Sequence, residues 1–166
     1  MLVSLCKAAL VAMVAAFFAL VAFNNVVDYD SNWAFIRHVL AMDTVFPDSA
    51  LKSRAITDPQ LAMLAYWAII GWEVATAVIL GVASIRLTIR CRSLQRFSEA
   101  KPLAVLGLTM GLLLYGFGIT IIGGEWFAMW QSKVWNGLDS AARFILLNGI
   151  VLVILLTPAP RLKNDI

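Results

Sequence analysis

Charge is what this chain has least of. Acidic and basic residues together fill 14% of its 166 positions, against about 25% in an ordinary soluble domain, while 61% are hydrophobic. A composition this apolar excludes a soluble domain and identifies a membrane protein. Histidine occurs once and cysteine twice. Neither Cys6 nor Cys91 belongs to a metal-spaced pair, and a lone His38 cannot furnish a zinc site or a bis-histidine haem within one chain. His38, Asp43 and several hydroxyls supply hydrolase ingredients without a nucleophile elbow or any comparable signature. The expectation is a protein that is not an enzyme, with no catalytic residue, no metal ligand set and no cofactor that the sequence requires.

What the chain does have is long apolar runs. Four reach the roughly 20 residues that span a hydrocarbon core: about Leu5–Val27, Leu61–Ile85, Leu103–Ile122 and Ala141–Thr157. The last stops at Pro158-Ala159-Pro160, where the helix cannot continue. None alternates in the manner of a barrel strand, and lipid satisfies no backbone groups, so all four read as helices. The expected fold is all-α: a four-helix transmembrane bundle forming a single integral membrane domain over residues 1–166. The first run is longer than a signal-peptide core, and no small-x-small site follows it, which points to an uncleaved signal anchor.

Lysine and arginine orient the bundle. Arg86, Arg90, Arg92, Arg96 and Lys101 crowd the link between the second and third spans, Lys7 flanks the first, and Arg161 and Lys163 follow the fourth. Positive flanks stay inside, so both termini are expected in the cytoplasm of a multi-pass protein of the bacterial inner membrane. The net charge of +3 is thereby explained by topology, which excludes nucleic acid as a partner and leaves membrane lipids. Cys6 and Cys91 fall on the reducing side, where no disulfide is expected.

The two outer loops are richer than connectors need to be. Ser31–Phe46 repeats apolar residues at helical spacing between N-cap candidates and Pro47, and reads as a short amphipathic helix with Trp33, Ile36, Val39 and Leu40 on its apolar side. The second loop carries Glu125, Trp126, Met129, Trp130 and Trp135. Trp33, Trp126, Trp130 and Trp135 are expected to form one aromatic cap or lid against the bundle, a surface that could also dock a partner. His38 and Met42 stand four residues apart, so with Met129 they could face one metal or a haem edge. Asp28, Asp30 and Asp43 could hold a cation, or serve simply as solvated turn formers.

One residue stands out inside the spans. Glu73 lies in the middle of the second run with no basic residue nearby in sequence. A carboxylate at bilayer depth costs roughly 2.5–3.5 kcal/mol to insert, so it is expected to face the bundle interior and a polar partner. Asn148 and Tyr115 are the candidates at similar depth, with Arg143 nearer the outer surface. Gly107 and Gly111 of the third span have the spacing that lets helices approach closely, with Ala8, Ala12 and Ala16 of the first span as the facing stripe.

Asn24-Asn25-Val26-Val27-Asp28-Tyr29, His38-Val39-Leu40-Ala41-Met42-Asp43-Thr44, Gly71-Trp72-Glu73, Gly123-Gly124-Glu125-Trp126-Phe127-Ala128-Met129-Trp130-Gln131-Ser132 and Trp135-Asn136-Gly137 together resemble a bacterial family of predicted small integral membrane proteins, domain of unknown function 2165. The resemblance spans nearly the whole chain and implies an inner-membrane protein without assigning an activity. Small size, absent catalytic signatures and tryptophan-rich loops favour an accessory or scaffold subunit of a membrane complex. The alternative is a small oligomeric transporter or channel using Glu73, and a further one is a haem- or quinone-linked redox subunit.

Overall fold

All four apolar runs are helices long enough to cross a bilayer. A computed structural model describes residues 1–158 as α1 (Leu2–Val27), α2 (Tyr29–Ala41), α3 (Pro59–Ile89), α4 (Leu94–Leu112) and α5 (Leu138–Leu156), with no strand among the described residues. The observed ends overrun the hydropathic ones because capping chemistry sets them. Asp58 accepts from the Gln60 amide at 2.8 Å ahead of Pro59, and Ser93 accepts from the Arg96 amide at 3.4 Å, nine residues before the apolar run of α4.

Beyond Leu112 the fourth helix changes winding. Leu113–Trp126 is a π-helix, in which the hydroxyl of Thr120 reaches back to the carbonyl of Tyr115 and the amide of Phe127 to Ile122. Such winding usually occupies a single turn and is concentrated at functional sites. Just before it, the Trp72 indole of α3 donates to the Met110 carbonyl at 2.9 Å, tying the two helices together where the winding changes.

The spanning helices form a ring in the order α1, α3, α4, α5, each antiparallel to its neighbours, and α5 closes against α1. Val11, Phe18, Leu80, Leu108 and Leu155 fill the centre and are fully buried. Gly107 and Gly111 serve close approach as their spacing predicts. A Cβ on Gly107 would stand 2.6 Å from Leu80, and one on Gly111 would stand 2.5 Å from Oδ1 of Asn148 and 2.8 Å from Phe18. The facing stripe on α1 is in part a correction: Ala8 is buried in the core, but Ala12 and Ala16 are exposed, and α1 presents Val11, Val14, Ala15 and Phe18 beside Ala8. Bulky side chains meet the glycines, so small residues are needed on one helix only.

Two ends result. Arg86, Arg90, Arg92 and Arg96 lie at one, with Lys7 beside them. Lys7 is buried, and its ammonium donates to the carbonyls of Leu155 and Thr157, closing off the last turn of α5. The other end carries the long loops. There α2 follows α1 after Asp28 alone and ends at Met42, whose φ of 52° is left-handed. The amphipathic helix is therefore real but displaced from residues 31–46. Past Met42 the chain folds onto the second loop, where Thr44 bonds the Ser132 hydroxyl at 2.8 Å and the Phe46 amide donates to Gln131 at 3.1 Å.

Candidate functional site

Glu73 is 3% exposed at the midpoint of α3, about 21 Å along the axis from Pro59 at 1.5 Å per residue. It faces the bundle interior, as the insertion cost requires. Its partner is Asn25 of α1, whose side-chain amide donates to Oε2 at 2.7 Å. Asn25 is itself held from the other side, since the Tyr66 hydroxyl donates to its main-chain carbonyl at 2.7 Å. Tyr66 and Glu73 are seven residues apart on one face of α3, so a single face of that helix grips one residue of α1 at two points.

Asn148 is not the partner. It is fully buried, its amide donates to the Phe144 carbonyl one turn back at 2.8 Å, and its Oδ1 has no partner among the described residues. Arg143 is exposed and donates to Ser140, so it supplies no countercharge. Among the described residues the one ion-pair geometry is His38 with Asp43, far along the chain from Glu73. Glu73 therefore has an amide donor and no cation.

A cavity of about 410 Å³ ends on Glu73. Its mouth lies at the loop end beside the exposed Val134 and Asn136, and its walls are aromatic: Phe35, Tyr66, Tyr115, Trp135 and Phe144. Tyr115 and Glu73 both line it, with no hydrogen bond between them among the described residues. Toward the basic end the space closes at Thr76, Leu80, Phe18 and Asn148, all without solvent exposure. Glu73 is thus shut off from the basic end.

A second chamber of about 280 Å³ lies between α2, α3 and the π segment. Nearly every atom facing it is hydrocarbon, contributed by residues such as Val39, Ala65, Leu114 and Met129. Phe35, Ile36, Ile69 and Ile119 line both chambers.

The remaining candidates divide among other tasks. Met42 and Met129 are buried with Val39, Val45 and Phe127 in a small core under the loops, while the His38 ring stacks on Trp135 at 4.7 Å and its Nδ1 pairs with Asp43 at 2.6 Å. The three do not converge, because the thioethers are used in packing and the imidazole points to a carboxylate. Asp28, Asp30 and Asp43 do not converge either: no group of three His, Cys, Asp or Glu positioned for a metal occurs among the described residues. The single aromatic cap is also a correction. Trp33 packs on Tyr66, Trp126 lies under Arg54 at 4.6 Å, Trp130 meets Phe46 edge-on and Trp135 covers His38, so the four rings occupy four places. Glu125 is exposed. Cys6 and Cys91 are both free, one exposed and one buried.

Asn25 is the site residue the sequence reading passed over. An amide two residues from the end of an apolar run is a signal of the same kind as Glu73, and weaker only because it lies close to the loop.

No curated protein and no solved structure matches the chain. A family model does, over residues 3–158, and its description fits four apolar helices in a bundle: the chain belongs to the family of predicted small integral membrane proteins known as DUF2165.

Proposed function

We propose that this is a non-enzymatic membrane protein that binds a positively charged organic solute at Glu73, either to carry it or to sense it, in the bacterial inner membrane with both termini cytoplasmic. The observation that carries the reading is an open cavity ending on a buried carboxylate that has no protein cation. Burying an unpaired charge is costly, and a cationic guest supplies the missing partner. Tyrosine, phenylalanine and tryptophan faces around the same chamber attract ammonium groups by their quadrupoles. A few polar groups within apolar walls is the usual composition of a small-molecule site. Clustered arginines at the closed end support the orientation, with the cavity mouth on the far side of the membrane.

The reading is tested with purified protein in nanodiscs and tetramethylammonium as probe. Saturable binding is expected in the wild type and at least about tenfold weaker binding in Glu73→Gln, which keeps shape and loses charge. Equal binding by the two proteins would end the proposal.

A second reading, an accessory subunit that docks a partner, is favoured by the exposed Phe46, Trp126, Trp130 and Val134 at the loop end. A fixed partner co-purifying in mild detergent, and lost when Trp126 and Trp130 are replaced by Ser, would support it.

A further inference from the structure

Resting on the Glu73 reading, we infer that the solute is an amphiphile: a single-chain ammonium whose charged head occupies the aromatic chamber and whose hydrocarbon tail occupies the apolar chamber beside it. Two observations lead there. The two chambers share four lining residues, Phe35, Ile36, Ile69 and Ile119, so they adjoin and only hydrocarbon side chains stand between them. Polarity is sharply divided, with Glu73, Asn25 and Tyr66 at one chamber and almost none at the other. A guest that fills both must be charged at one end and apolar at the other.

The apolar chamber is also placed to receive a tail. Ala68 and Ile122 line it and are exposed on the bundle flank, where lipid would lie. Its wall includes part of the π segment, contributed by Leu114, Gly118 and Ile119, and Gly118 carries no side chain. Room exists there for a larger side chain, since a Cβ on Gly118 would meet nothing closer than 3.8 Å. A glycine that packing does not require leaves space along a chamber wall. Free water has little reason to occupy such a space, because a water needs two to four polar partners.

The test uses alkyltrimethylammonium probes with methyl, butyl and octyl chains, titrated into protein in nanodiscs. Each buried methylene adds roughly fourfold in affinity at full burial, so octyl should bind at least about tenfold more tightly than butyl in the wild type. Gly118→Leu, and independently Ala68→Phe, should leave methyl and butyl binding within about twofold of wild type while cutting the octyl gain below about threefold. Two variants on different helices guard against one of them failing to fold. An octyl gain that persists in both variants, or that is missing from the wild type, overturns the tail assignment and leaves head recognition at Glu73 standing. Absence of methyl binding, or methyl binding indifferent to Glu73→Gln, overturns the Glu73 reading and the tail assignment with it.

Discussion

Asn25 works in two directions at once: its amide donates to Glu73 and its carbonyl accepts from Tyr66. Asn25→Ala would strand a buried carboxylate oxygen while keeping the Tyr66 bond, which involves only the main chain. Stability should fall by about 1–3 kcal/mol, read as an earlier midpoint in detergent unfolding. Asn148→Leu is the contrasting case, because its Oδ1 already lacks a partner, and its loss should be less than half that of Asn25→Ala. The two amides also show what was legible. Glu73 announced itself as a carboxylate inside an apolar run, and its inward orientation followed from insertion cost alone. Its partner did not follow, since depth counted along the apolar runs favoured Asn148 and put Asn25 near the loop. The choice between them rests on how α1 and α5 are rotated about their axes, and apolar side chains on all sides of a spanning helix leave little trace of that rotation.

Glycines separate the helices into those that touch closely and those that do not. Gly111→Ala would drive a methyl group into Asn148 and Phe18, both fully buried and unable to retreat, and should destabilise the bundle by about 1–3 kcal/mol. Gly81→Ala meets nothing within 4 Å in the middle of α3, and should be neutral or stabilising by up to about 1 kcal/mol. Thermal unfolding of both variants in one detergent checks the pair. The spacing of Gly107 and Gly111 was readable as a contact; the identity of the contact was not. Large residues on α1, α3 and α5 fill the space that a matched small-residue stripe was expected to share. The π winding was equally hidden, because an apolar run of any helical period satisfies hydropathy, and only the back-bonds of five residues distinguish it. Helix α2 was legible as amphipathic, though the chain just past its left-handed end at Met42 is bonded to a loop 88 residues later in sequence, from Thr44 to Ser132.

At the scale of the whole molecule, the positive flanks gather at one end and the long loops at the other. Orientation should therefore be testable with thiol reagents on intact spheroplasts, but not with Cys91, which is buried and would stay silent on either side. Cysteine placed at the exposed Gln95 should resist an impermeant reagent, and cysteine placed at the exposed Asp48 should react. The reverse pattern would invert the protein. The fold class was legible because four apolar runs admit few alternatives. The cavities were not, because they are the spaces left by side chains from five separate elements.

The placement of the tryptophans also has a spectroscopic consequence. All six, at positions 33, 67, 72, 126, 130 and 135, belong to the loop half or the midplane, as do the three tyrosines, and the arginine-rich half contains neither residue type. Intrinsic ultraviolet emission from this protein is thus a local instrument. It follows the chambers around Glu73 and is blind to loosening at the opposite end, where only the clasp of Lys7 on α5 would register the change.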